Sequence, residues 1–354
     1  MSRFLNARYA GLTAYTPGEQ PRDRQYIKLN TNESPYPPSP AVLAALDRQD
    51  VADLRLYSDP EGTALRAALA QRYGVTPGQV FLSNGSDDIL NFAFMAFGAD
   101  GAVFPGLTYS FYPVFADLHQ VAYETVPLEE DFSIDPAALA GRGKLTVLAN
   151  PNAPTGLALS LDQVEAIVAA DPAHVVVVDE AYVDFGADSA ASLVDRYDNL
   201  LVVMTYSKSR SMAGARLGFA LGSRTLIEDL EKLKYSTNPY NVNRLTLKLG
   251  QAAVASDDYF RDKARQIMAT RDKTAAALRA LGFAMPDSRA NFLFLTHPKL
   301  DGADFYRRCK ERGILIRHFS DPAIAQYNRV TIGTEEDMAA FVQAAREILQ
   351  EEGS

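Results

Sequence analysis

Along the chain, short runs of apolar residues alternate with longer stretches in which apolar positions recur at helical spacing. From Gly62 the helical pattern is clear, with Leu65, Ala68, Leu69 and Arg72 on repeating faces. The runs QVFLS, AVFP, VAYETV, KLTVLAN, HVVVVDE, NLLVVMT and LGFALG follow, spaced by segments long enough for helices. This alternation predicts an α/β fold with a largely parallel sheet. The four consecutive valines of HVVVVDE fit a strand covered on both faces. After about residue 240 the character changes. Residues 242–281 read as mostly helical and charged, then come strand-like NFLFL, GILIR and RVTIG and a final helix from Glu335. That predicts a second, smaller α+β unit. The first forty residues, rich in Pro, Tyr and Asn, read as extended or turn-forming chain, because each proline biases its predecessor away from helix.

Composition narrows the class. At 354 residues there is ample length for a large core, and 47% apolar with 22% charged residues is ordinary for a globular protein. The net charge of −9 argues against a general nucleic-acid surface, which needs concentrated basic faces. Cys309 is the single cysteine, and His119, His174, His297 and His318 are scattered without ligand spacing, so no metal site is expected. The opening MSRFLNARYAGLTAY has no secretory pattern, and no apolar run reaches 18 residues. A cytoplasmic protein without membrane contact is the expectation.

Chemistry concentrates at the ends of the predicted strands. In HVVVVDEAY, Asp179 follows directly on a strand, where ligands bind in open α/β sheets. A carboxylate there is costly without a cation. It could hold magnesium as a Walker B acid, or pair with the ring nitrogen of pyridoxal phosphate, or simply cap a helix. The magnesium reading needs a phosphate-binding loop. The nearest match, GRGKLT at 141–146, lacks its first glycine and its Ser or Thr, and no GxGxxG is present. The pyridoxal reading needs a lysine at another strand end, and Lys208 supplies one after NLLVVMTYS, amid small residues. It also needs an anion cradle. SNGSDD, residues 83–88, is a tight turn before a plausible helix whose N–H groups would face a phosphate, although Asp87 and Asp88 would repel one if aimed at it. Arg216 and the Ser207 hydroxyl are further candidates.

Taken in order, LTAY (12–15), LNTNESPYPPSP (29–40), LRLYSDPEG (54–62), SNGSDD, PGLTYSFY (105–112), NPNAPTG (150–156), VVDEAYVDF (177–185), TYSKSRSMAGARLG (205–218), SRANFLF (288–294), GILIR (313–317) and YNRVTIGT (327–334) span nearly the whole chain. This set resembles the fold-type I pyridoxal-phosphate-dependent aminotransferases, and within them the histidinol-phosphate aminotransferase branch. The resemblance implies a large cofactor-binding domain over 42–255, with a small domain built from 1–41 and 256–354. It implies Lys208 as the lysine that bonds the cofactor aldehyde, Asp179 as partner of the ring nitrogen, Tyr182 on the ring oxygen and Tyr109 stacked on the ring. Gly85, Ser86, Asp87, Ser207 and Arg216 would hold the cofactor phosphate, with Tyr57 reaching the site of a second subunit in a homodimer. Arg329, Arg317, Tyr15 and Asn291 would face the substrate. The implied reaction moves an amino group from histidinol phosphate to 2-oxoglutarate.

Three departures from that pattern stand out. Ala153 replaces the second asparagine of NPNNPTG, leaving Asn152 as the candidate to substitute for it. Pro37 stands where glycine is common, and Ser209 with Arg210 replaces small or aromatic residues. Arg210 is expected either to touch substrate or to lie at the surface. Other activities fit the same scaffold: an aromatic or broad-range aminotransferase, or a decarboxylase of phosphorylated amino acids. A DNA-binding regulator of this fold would need an added winged helix, for which the N-terminus leaves no room.

Overall fold

The computed structural model describes residues 2–352. Its strands are β1 (Ile27–Lys28), β2 (Val80–Ser83), β3 (Ala102–Pro105), β4 (Tyr123–Val126), β5 (Leu145–Ala149), β6 (Val176–Asp179), β7 (Leu200–Thr205), β8 (Gly218–Gly222), β9 (Phe292–Leu295), β10 (Ile314–Leu315), β11 (Arg317–His318) and β12 (Asn328–Thr331). Seven of them form one sheet in the order β2-β8-β7-β6-β5-β3-β4. All run parallel except β8, which is antiparallel to both neighbours. The α/β architecture with a mostly parallel sheet is therefore as the apolar runs indicate.

Helices cover both faces, so successive strand residues enter two different cores. Phe81, Val177, Val203 and Ala220 pack on one side with Phe94 and Tyr112. Val80, Leu82, Val178, Val202 and Leu221 pack on the other with Leu65 and Phe260. The period of two sends the adjacent acids Asp179 and Glu180 to opposite faces.

A third core gathers Phe292, Leu295, Ile314, Val330, Phe341 and Ile348 with Leu29 from the N-terminal segment. Around it lie the antiparallel sheet β11-β12-β9 and the parallel pair β1-β10. GILIR, read as one strand, is divided between two sheets, with Ile316 buried at the junction. The helical stretch read over 242–281 is two helices, Arg244–Ala255 and Asp257–Ala280, broken at Ser256. Tyr182 and Ala153 belong to this third core although they follow strands of the large sheet. The cores thus meet at the carboxyl ends of β5 and β6. No helix among the described residues is long and apolar enough to cross a membrane.

Candidate active site

At the carboxyl ends of the parallel strands lies a cavity of about 380 Å³, lined by residues that include Asp87, Tyr109, Asp179, Tyr182, Lys208 and Arg216. This edge of a parallel sheet is where loops diverge and leave a crevice. Antiparallel β8 begins at the same edge, so Arg216, just before it, returns to the lysine loop. Register pairs Ser83 with Gly218 and Gly218 with Thr205, drawing the SNGSDD turn, the arginine and the lysine together.

The anion cradle is defined by close backbone approach. Gly85 precedes the helix Ser86–Phe97 with φ of 91°, a conformation that favours glycine, and offers no side chain to cap the first-turn N–H groups. A Cβ on Gly85 would lie 2.7 Å from Arg216 Nη2. One on Gly218 would lie 2.5 Å from the Ser86 nitrogen. Neither glycine can be replaced without moving the cradle. Arg216, itself left-handed with φ of 52°, donates to Asp87 Oδ2 at 3.2 Å and to Ser207 Oγ at 3.4 Å. Asp88 turns away, accepting from Ser83 Oγ and from Asn241 Nδ2 at 2.7 Å. Asp87 stays in the cradle, accepting from the Tyr109 hydroxyl at 2.8 Å.

Asp179 is buried. It accepts from the Tyr112 hydroxyl at 2.9 Å and from the Ala181 N–H at 3.2 Å. Burial pushes its carboxyl up to about 6, against the pull of these bonds. A cation beside it would restore the charged form. Glu180, facing the opposite core, accepts from Ser189 Oγ and the Ala190 N–H, each at 2.6 Å, and burial pushes it up to about 8. Lys208 Nζ donates to the Thr31 carbonyl at 3.2 Å and sits 5.8 Å from the Tyr182 ring centre. The Tyr182 hydroxyl accepts from Asn32 Nδ2 at 2.9 Å, and its ring meets Phe292 edge-on at 5.1 Å.

Arg317 and Arg329 are paired across β11 and β12. Like charges directly opposite on an antiparallel ladder repel, so the pair waits for an anion. Neither has a carboxylate partner among the described residues. Arg329 donates to the Asn30 carbonyl at 3.2 Å while its buried Nε has no partner, and burial holds it below the ordinary arginine range. Tyr15 stacks on Phe111 at 4.2 Å. The Asn291 amide donates to the Asn32 carbonyl at 3.0 Å, so its contact is with the N-terminal segment.

Two expectations change, those for Asn152 and Arg210. The Asn152 side chain is spent on Thr155 in its own turn and on Leu107 and Thr108 of the segment after β3, while Ala153 lines the cavity. The candidate substitute for the missing asparagine is therefore not on the cavity wall. Arg210 is neither at the surface nor in the cavity. Only 11% exposed, it pairs with Asp257 at 3.0 Å and Asp184 at 3.8 Å, and Ser209 also donates to Asp184. Tyr57 is 78% exposed and stacks on Tyr240 at 4.4 Å, away from this chain's own cavity. The residues not anticipated are Tyr112, Asn32 and Thr31. The last two lie inside the quoted LNTNESPYPPSP, yet their partners are more than a hundred residues away. A lysine and a buried acid on one cavity, with an uncapped helix terminus at one end and unpaired arginines on the neighbouring sheet, can bind a phosphorylated aldehyde and hold an anionic substrate beside it.

These features define an amino-group-transferring fold, and the chain belongs to the aminotransferase class I and II family, whose model matches residues 24–344. It is 51% identical over 354 residues to histidinol-phosphate aminotransferase 1 of Bordetella parapertussis, covering 98% of this chain and 99% of that one. It is 46% identical over 353 residues to the histidinol-phosphate aminotransferase of Brachyspira hyodysenteriae, covering 99% and 100%. The crystal structure of histidinol-phosphate aminotransferase from Sinorhizobium meliloti in complex with pyridoxal-5'-phosphate superposes with a TM-score of 0.81 at 25% identity, covering 93% and 92%.

Proposed function

We propose that the chain is a pyridoxal-phosphate-dependent transaminase that takes the amino group of histidinol phosphate and gives it to 2-oxoglutarate. The observation that carries the reading is the convergence of Lys208, Asp179, Tyr182 and Arg216 on one cavity. Whole-chain likeness to the two bacterial relatives supports the choice of substrate. Pyridoxal phosphate, when bound, supplies an aldehyde for covalent attachment and a ring that takes up negative charge.

The protein's residues do the rest. The helix terminus at Ser86 and Asp87, with Ser207 and Arg216, holds the phosphate. Asp179 keeps a proton on the ring nitrogen, and Tyr112 orients that carboxylate. Tyr182, with Asn32 behind it, hydrogen-bonds the ring oxygen. Lys208 would hold the cofactor aldehyde and, once free, would take the proton from the Cα of the amino donor and in the second half-reaction deliver one to the Cα of the product amino acid. Arg329 and Arg317 take the substrate's anionic end, phosphate in one half-reaction and carboxylate in the other. Guanidinium forks suit both.

The unit 42–255 carries the cofactor, and the segments 1–41 and 256–354 form the substrate-side unit. The exposed Leu54, Leu56, Tyr57 and Tyr240 support a homodimer in which Tyr57 reaches the neighbouring site. The expected location is cytoplasmic. Lys208→Ala should bind the cofactor without its covalent absorption band and lose turnover by about a thousandfold or more. Full activity in that variant sinks the mechanism. Rates with histidinol phosphate, phenylalanine and aspartate test the donor, and a preference for phenylalanine overturns the substrate assignment alone.

A further inference from the structure

Three side-chain carboxylates line the cavity: Asp87, Asp179 and Glu33. The first two are committed. Asp87 has Tyr109 on one oxygen and Arg216 on the other, and Asp179 has Tyr112 and the Ala181 N–H. Glu33 differs. Its Oε2 accepts from Lys28 Nζ at 2.5 Å and from Thr31 Oγ1 at 2.8 Å, while Oε1 has no hydrogen bond from a described residue. The side chain is 41% exposed, so this free oxygen is within reach of a ligand.

The segment that carries Glu33 touches the reacting groups in sequence order. The Asn30 carbonyl accepts from Arg329 and the Thr31 carbonyl from Lys208, while the Asn32 amide donates to Tyr182. The segment is also held in place. Thr331 Oγ1 accepts from the Asn32 N–H and donates to its side-chain oxygen, and Asn291 donates to the Asn32 carbonyl. Glu33 is thus a fixed acceptor beside the lysine, and its bonds to Lys28 and Thr31 hold one oxygen while leaving the other free.

A donor whose amine engages Lys208 and whose phosphate engages Arg329 and Arg317 still has its imidazole ring to place, with one N–H that donates and one nitrogen that accepts. That N–H loses water on entry and needs an acceptor. We propose that Glu33 Oε1 accepts the ring N–H of the amino donor and so selects an N–H-bearing heteroaromatic ring over a plain aromatic one. The inference rests on the transaminase reading given above and adds to it the residue that reads the ring. A phenyl ring in the same place would strip Oε1 of water and offer no donor, the arrangement in which discrimination is largest. Burial raises the Glu33 carboxyl, but the bonds from Lys28 and Thr31 and the charge of Lys28 outweigh it and hold it below the ordinary carboxylate range, so it accepts as an anion at neutral pH.

The test compares kcat/KM for histidinol phosphate with that for 2-amino-3-phenylpropyl phosphate, which has the same amine and phosphate but no ring N–H. In Glu33→Ala the ratio of the two should fall by about tenfold or more, the size of one hydrogen bond to a charged group. Glu33→Gln keeps its single acceptor oxygen for Lys28 and Thr31 and turns an amide NH2 toward the ring, so the segment stays braced while the ratio falls as in Glu33→Ala. Calorimetric titration with the non-reacting 3-(imidazol-4-yl)propyl phosphate should show a weaker Kd in both variants than in the unsubstituted protein. Equal losses for both donors would show that Glu33 only braces the segment, and an unchanged ratio would show that another group reads the ring; either overturns the inference. If the unsubstituted protein turns over neither donor, the functional reading itself has failed, a result seen before any variant is made.

Discussion

Arg210 and Arg329 are both largely withdrawn from water, yet they sit in opposite electrostatic situations. Arg210 faces Asp257 and Asp184 and lies 5.6 Å from the Phe260 ring centre. Burial alone would lower its proton affinity, but the two acids outweigh that and raise it. Arg329 faces a backbone carbonyl, the rings of Phe292 and Phe319, and a second arginine across the strand pair. A buried cation with its counter-charge supplied holds structure together. One without it is a vacancy for an anion. The sequence left Arg210 either on the substrate or at the surface, and the geometry gives it neither place.

The comparison is broken most directly by removing each guanidinium. Arg329→Ala should lower kcat/KM for histidinol phosphate by roughly a hundredfold to a thousandfold, the usual range for losing a buried charged contact to a ligand. Its melting temperature should hold or rise, because the repulsion from Arg317 goes with it. Arg210→Ala should do the reverse. It takes one of three guanidinium partners from Asp257, which keeps Arg72 and Arg261, and should lower folding stability by about 1 to 3 kcal/mol. The fraction that remains folded should retain substrate affinity. Thermal unfolding and steady-state kinetics on the two proteins decide it, and a stable Arg210→Ala protein with weakened substrate binding would remove the distinction.

How much of this was legible in the sequence depended on contact distance. The strands of the large sheet announce themselves because residues such as Val176–Val178 are covered on both faces and must all be apolar. Lys208 and Asp179 are legible as candidates because Asp179 ends one such strand and Lys208 follows closely on another. The two-residue strand β1 and the division of GILIR are not, since Ile314 and Leu315 pair with Ile27 and Lys28 at the far end of the chain while Arg317 pairs with nearby Arg329. Arg210 was misplaced for the same reason. Its main acid, Asp257, begins a helix 47 residues later, and only the break at Ser256 brings that helix terminus to the lysine loop. Local pattern shows where charge lies along the chain. It does not show which charges meet.

The adjacent acids at the end of β6 extend the comparison to pH. Both carboxyls are raised by burial, Asp179 from 3.8 to about 6 and Glu180 from 4.5 to about 8. A carboxyl raised in the folded state contributes stability that is complete below its unfolded value and is lost as pH climbs through the folded one. For Asp179 the loss runs from about 4 to 6 and for Glu180 from about 4.5 to 8, so the upper part of the window belongs to Glu180. Glu180→Gln keeps an acceptor for Ser189 or Ala190 but cannot ionise. It should flatten the fall in unfolding free energy between about pH 6 and 8 by an amount on the order of a few kcal/mol at most. An unchanged slope would assign that pH dependence to other groups. Asp179, unlike Glu180, lines the cofactor cavity, so adding pyridoxal phosphate should shift the lower part of the window and leave the upper part in place.

The smallest effect separates the hold on the lysine loop from its chemistry. Ser209 follows Lys208 and donates to Asp184, the same carboxylate that Arg210 approaches. Ser209→Ala leaves that carboxylate with Arg210 and, because Asp184 is partly exposed, with water in place of the hydroxyl. The loss should be about 1 kcal/mol of stability, that of one replaceable hydrogen bond. If the network's work is to anchor the loop against the Asp257–Ala280 helix, Arg210→Ala and Ser209→Ala should be less than additive, because both act through Asp184. Full additivity in a double-mutant cycle would mean that the arginine acts through Asp257 alone, and the serine would then be a local cap with no share in the pairing that distinguishes Arg210 from Arg329.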